Sequence, residues 1–326
     1  MSRIHEALRK AEQEHAAKPD ETLGVSRESS VVAPAAEVPM PSLSGGGLTR
    51  TSAGVAQPGN FLRFDDLRGD CPRPQWNLDP DMNVFSDSET GARAAEQFRT
   101  LRTRLYQIRS SGTSALRTVL VTSAIPAEGK TFVSHNLAQA IVRQPDRRVL
   151  LIDADLRCAR LHVPLGAPSA PGLSDYLRGD ADERAVIQFG PDGNLCFIPG
   201  GQEVTNPSEL LSNGRLKTLL ERVTPVFDWV ILDSPPCLPV ADSSLLAQLC
   251  DAVLLVVRAG STPAETALKA CQELKGKNIA GVVLNVVEES VAYGTHYYER
   301  YSPVYEYIDP KNTPRQSSQP AARSLR

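Results

Sequence analysis

Between Thr118 and Val142 the chain runs TVLVTS, AIPAEGKT and FVSHNLAQAIV, which is a β-branched apolar run, a loop ending in glycine, lysine and threonine, and a helical segment. This order constrains the fold more than any other feature, because a phosphate-binding loop works only where a strand delivers it to a helix N-terminus. The N–H groups of Glu128, Gly129, Lys130 and Thr131 are expected to face phosphate oxygens, helped by the helix dipole. Lys130 is expected to bridge the β- and γ-phosphates of ATP, and the Thr131 hydroxyl to ligate Mg²⁺. Ala127 and Phe132 flank these residues and are counted with them as nucleotide-binding. Ala127 stands where such loops usually carry glycine, and Ala124 replaces the first glycine. A left-handed backbone at an alanine costs roughly 1 to 2 kcal/mol, so a right-handed or extended Ala127 is expected.

Further apolar runs follow: VLLID at 149–153, WVILD at 229–233, AVLLVV at 252–257 and AGVVLN at 280–285. They are continuous rather than alternating, and helical-length segments separate them, as in a parallel sheet covered on both faces. The predicted fold is α/β, a doubly wound, mostly parallel P-loop NTPase sheet. Asp153, Asp155 and Asp233 fall at strand C-terminal ends, where open α/β sheets bind ligands. They are candidates to ligate Mg²⁺ or its waters, and one of them to accept a tyrosine proton. Asn285 and Arg258 are candidates for adenine contacts by position alone.

The chain has 326 residues, 41% of them hydrophobic, and a net charge of −3, so nothing in the overall balance points to nucleic acid. Six scattered cysteines without a CxxC pair favour a reducing compartment and argue against a zinc site. No run reaches the roughly 18 apolar residues of a membrane span, so a cytoplasmic location is expected. Ile4, Leu8 and Ala11 give residues 1–16 one narrow apolar stripe, and a Pro-, Gly- and Ser-rich linker is expected over 17–84. The nucleotide-binding core is expected to span 85–290. A helix over 91–110 carries Glu96, Arg99 and Arg102 at intervals of three, and an exposed pair of this kind contributes only about 0.3 to 0.5 kcal/mol within one subunit. Six of the eight tyrosines, Tyr293, Tyr297, Tyr298, Tyr301, Tyr305 and Tyr307, fall in the tail 291–326, broken by Gly294 and Pro303. That tail is expected to be mobile, and fifteen extended residues reach about 50 Å.

Taken together, AIPAEGKTFVSHNLA, LLIDADLR, VILDSPP, GLSDYLRG, NPSELL and the tyrosine-rich tail resemble the bacterial tyrosine kinases (BY-kinases) of capsular and exopolysaccharide synthesis. The resemblance spans about 85–307. It implies that Lys130 and Thr131 hold ATP and Mg²⁺, Asp155 ligates the metal, Asp153 is the base and Asp233 supports the metal. It also implies that Glu96, Arg99 and Arg102 form an oligomerisation motif closing a ring, and that the tail tyrosines are phosphorylated in trans. A membrane protein of the chain-length type would activate and recruit the kinase, and a cognate phosphatase would reverse it. Cys158 and Ala159 depart from the basic residue and proline common after the LR. The competing reading is a partition or division-positioning ATPase, whose signature lysine would occupy position 125; here that residue is Ile125. A third is nucleotide binding without phosphotransfer.

Overall fold

The computed structural model describes residues 62–86, 89–112 and 116–287. The stripe over 1–16, the linker up to 61 and the tail tyrosines lie outside them. Seven strands form one sheet in the order β3-β4-β2-β5-β1-β6-β7. They are β1 (Thr118–Ser123), β2 (Val149–Asp153), β3 (Gln188–Phe189), β4 (Leu195–Ile198), β5 (Trp229–Asp233), β6 (Ala252–Arg258) and β7 (Ile279–Asn285). Every pairing is parallel except β3 with β4. All residues of β1, β2 and β5 are buried, which is why their sequences lack alternation.

The described helices, α1 (Phe64–Asp70), α2 (Glu89–Ser111), α3 (Lys130–Val142), α4 (His162–Leu165), α5 (Leu173–Arg178), α6 (Glu183–Val186), α7 (Pro207–Ser212), α8 (Arg215–Val223), α9 (Asp242–Ala247) and α10 (Ala264–Glu273), divide between the two faces of the sheet. Phe98 and Leu105 of α2, Leu137 and Ile141 of α3 and Leu165 of α4 form one apolar layer with Val121, Leu151 and Ile231. Leu173, Leu211, Leu216, Leu246 and Ala270 form the other with Leu120, Ile152 and Leu232. In α8, Leu216, Leu219, Leu220 and Val223 recur at helical spacing and are all buried.

The expected linker does not extend to residue 84. Phe64 and Leu67 of α1 are buried and Phe64 meets Phe189 and Phe227 edge to face or tilted, while Trp76 packs edge-on against Phe197. Asn136 of α3 accepts from Val84 N and donates to Met82 O, tying this segment down. Aromatic burial outweighs a composition that otherwise reads as loop. The expected helix over 91–110 is α2, slightly longer. The two short strands β3 and β4 carry too few residues to stand out in the sequence.

Candidate active site

The order β2-β5-β1 brings three consecutive strand ends together: the loop after β1, Asp153 at the end of β2 and Asp233 at the end of β5, with Asp153 and Asp233 directly paired in register. Gly129 is the N-cap of α3 at φ 90°, and a Cβ there would lie 2.0 Å from Asn285 Nδ2, so both backbone and space demand glycine. No side chain caps this helix N-terminus and no acidic residue occupies its first turn. Its first N–H groups are therefore presented to an anion, as the sequence predicts for Glu128 to Thr131.

Lys130 Nζ lies 3.2 Å from Asp155 Oδ2. Thr131 Oγ1 donates to Asp233 Oδ2 at 2.7 Å, and Ser134 Oγ, one turn along α3, donates to Asp233 Oδ1 at 3.0 Å. Burial pushes the Asp233 carboxyl up to about 6 against the opposing pull of Lys130 and these two hydroxyls. Asp153 is pushed well above the usual carboxylate range by burial and then by Asp233. Its two oxygens accept the N–H groups of Asp155 (3.2 Å) and Leu161 (2.9 Å).

Asp153, Asp155 and Asp233 do meet at one rim, but not as a three-carboxylate cage: among the described residues no three acidic, histidine or cysteine side chains are arranged to hold a metal. What is present fits magnesium with a phosphate, since that ion uses one or two carboxylates and takes its other oxygens from phosphate and water. Thr131 donates its proton to Asp233 and keeps its lone pairs for a cation, and Asp233 and Asp155 are the carboxylates at hand.

Ala127 is a correction. It adopts φ 65°, the left-handed region, rather than the expected right-handed or extended one. Glu128 supplies the compensation. Its buried carboxylate accepts Ile125 N at 2.8 Å through one oxygen, and Thr262 Oγ1 at 2.5 Å and Arg258 N at 3.3 Å through the other. Asn285 Nδ2 donates to Glu128 O at 2.9 Å. Glu128 and Asn285 thus brace the loop, and only the backbone of Glu128 is offered to phosphate. The Phe132 side chain likewise turns away, stacking edge-on with Phe98. Sequence reading missed Ser134, Thr262, Ser208 and Asp242; Ser134 alone had a signal, lying three residues after Thr131 and so on the same helix face.

The stripe on α2 is not uniformly free. Glu96 and Arg99 pair at 2.9 Å on the surface, whereas Arg102 Nη1 donates to Ala140 O at 2.7 Å at the end of α3. One guanidinium nitrogen of Arg102 is thereby engaged within the subunit.

A phosphate loop, an acidic strand rim and this strand order define a nucleotide-binding domain. The family described as the CobQ/CobB/MinD/ParA nucleotide binding domain matches residues 120–309, more than half of the chain. The tyrosine-protein kinase YwqD of Bacillus subtilis is 34% identical over 206 residues, covering 62% of this chain and 85% of YwqD. The tyrosine-protein kinase etk of Escherichia coli K12 is 39% identical over 196 residues, which is 60% of this chain but 27% of that protein. The chain thus spans only about a quarter of several curated relatives. The kinase domain of Escherichia coli ETK superposes with a TM-score of 0.60 at 36% identity, covering 68% of this chain and 86% of that one. The chain belongs to this nucleotide-binding family and, within it, to the bacterial tyrosine-protein kinases.

Proposed function

We propose that the chain transfers the γ-phosphoryl group of ATP to tyrosine hydroxyls, chiefly those at 293, 297, 298, 301, 305 and 307 of a neighbouring copy, and thereby controls exopolysaccharide synthesis and export. The observation that carries this is the paired arrangement of Lys130 with Asp155 and of Thr131 with Asp233 at one uncapped helix N-terminus. Lys130 and the loop N–H groups bind and orient the phosphates, and Thr131 with Asp155 and Asp233 would hold Mg²⁺, which would supply charge neutralisation at the transferring group. The tyrosine oxygen forms the new P–O bond as the bond to the ADP oxygen breaks, and the phenolic proton passes to Asp153. A carboxyl with a raised proton affinity suits that acceptor role. Asp153 is fully buried, so the turn carrying Asp155 and Leu161 must shift to admit a hydroxyl.

Transfer in trans fits the reach of the tyrosine-bearing segment, about 50 Å for some fifteen extended residues. Glu96 and Arg99 are exposed and remain available for a ring contact, with Arg102 contributing from within. Recruitment by a membrane activator of the chain-length type and reversal by a phosphatase complete this reading; among the described residues no helix is long and apolar enough to cross a membrane. Position 125 carries Ile125, half-buried against the core, so the cross-subunit lysine of the switch ATPases has no counterpart. The test is incorporation of γ-labelled phosphate with all six tail tyrosines changed to Phe. Loss of phosphotyrosine is expected; unchanged labelling would mean that the tail is not the main acceptor.

A further inference from the structure

Two residues beyond Asp155, the Arg157 guanidinium leaves the phosphate site and grips a different element. Its Nε donates to Asp242 Oδ2 at 2.7 Å and its Nη2 to Asp242 Oδ1 at 3.1 Å, a bidentate pair with a carboxylate that is 1% exposed. Ser208, in the first turn of α7, donates to the same Asp242 oxygen at 2.5 Å and accepts from Arg157 Nη2 at 2.9 Å. Burial would raise the Asp242 carboxyl, but the hydrogen bonds from Arg157 and Ser208 hold it below its usual range.

The anchor is itself fixed to the strand ends. Ser243, beside Asp242, donates to Pro235 O at 2.5 Å, Thr122 Oγ1 donates to the same carbonyl at 2.9 Å, and Ser234 Oγ donates to Val121 O at 3.0 Å. Asp242 therefore adjoins a hydrogen-bonded frame that starts at Ser234, the residue after Asp233. On the other side, Asp155 and Cys158 close a turn, with Cys158 N donating to the backbone and carboxylate oxygens of Asp155 at 3.1 Å each. Arg157 is the strut between that turn and that frame.

We propose that Arg157, through Asp242, is a positioning residue that sets the separation of Asp155 from Asp233 and so the site's affinity for a magnesium-bound phosphate. This rests on the magnesium-nucleotide reading above. A strut with no such role would weaken folding alone. One that orients metal ligands changes metal affinity, and partners of this kind typically carry about 10- to 100-fold.

The experiment is calorimetric titration of the full chain with ADP, once with Mg²⁺ and once with chelator. Arg157→Ala should lower MgADP affinity by about tenfold or more while metal-free ADP affinity stays within about twofold. Asp242→Asn should give the same metal-specific loss, and the double variant little beyond either single one. Arg157→Lys, which keeps the charge but not the fork, should fall between; it and Asp242→Asn carry the test if Arg157→Ala does not fold. Equal losses with and without metal, or no loss in either, would overturn the assignment. Neither readout needs a tyrosine acceptor: an intact metal-dependent difference without phosphotyrosine would count against the kinase reading alone. A parent chain that binds no MgADP would overturn the site itself.

Discussion

Lys130 Nζ and Asp155 Oδ2 lie 3.2 Å apart, with the side chains only 15% and 5% exposed. The cation expected to meet the phosphates is thus paired with a carboxylate from the loop after β2. On the proposed reading, nucleotide would draw Lys130 away and so free Asp155 for a metal. On that reading the pairing would couple the two binding steps without making them inseparable.

Two substitutions separate these roles. Lys130→Met should lower tyrosine labelling by about 100-fold or more, since it removes a fixed charge aimed at the transferring group. Asp155→Asn should leave metal-free nucleotide affinity unchanged or higher, because the lysine is released, while the response to Mg²⁺ is lost. Titration of each variant with and without Mg²⁺ checks the pair, and a fall in metal-free affinity for Asp155→Asn would contradict it.

Ala127 holds a left-handed backbone at φ 65°. Glycine there would relieve roughly 1 to 2 kcal/mol of strain and return about 0.5 to 1 kcal/mol through a more flexible unfolded chain. Ala127→Gly should therefore leave Tm unchanged or raise it by up to about 5 °C. A lower Tm in calorimetry would show that the brace from Glu128 already removes the strain.

His135, inside α3, is fully buried and neither ring nitrogen has a hydrogen-bond partner. Burial, and then the nearby Arg143, lowers it to about 4. The unfolded chain takes up its proton near pH 6.5 and the folded chain only near 4, so this contribution to stability is complete above 6.5 and is lost as pH falls towards 4. The loss is on the order of 3 kcal/mol. Urea midpoints at pH 7 and pH 5 should therefore differ less for His135→Leu than for the parent, and parallel shifts would refute the assignment.

On α2, Glu96→Ala and Arg99→Ala should each change subunit stability by under about 0.5 kcal/mol, because the pair is half exposed at both ends. Arg102→Ala should cost about 1 to 3 kcal/mol through loss of its bond to Ala140 O. Denaturation by urea together with light scattering separates the cases. If Glu96→Ala disperses an assembly without destabilising the subunit, the effect lies at a contact between copies.

Much of the fold and of the site is legible in the sequence alone. The strands ending in Asp153 and Asp233 announce themselves as uncharged β-branched runs, and the glycine, lysine and threonine triplet marks α3. The segment from Phe64 to Val84 was not legible, because its few aromatics are spaced without a period and only the partners Phe189, Phe197 and Phe227 give them a place. The backbone at Ala127 was misjudged for a related reason: local sterics oppose it, and the bonds that hold Glu128 come from residues more than a hundred positions away.

The sequence by itself determined the phosphate loop, the parallel character of the sheet and the acidic strand ends, because each depends on residues adjacent in the chain. Only the tertiary structure decided that Arg157 closes on Asp242, that Asn285 holds the loop through Glu128 O and that Arg102 turns inward to α3. Those contacts join residues 38 to 157 positions apart, and no local preference encodes a pairing that exists only once the strand order has brought its two ends together.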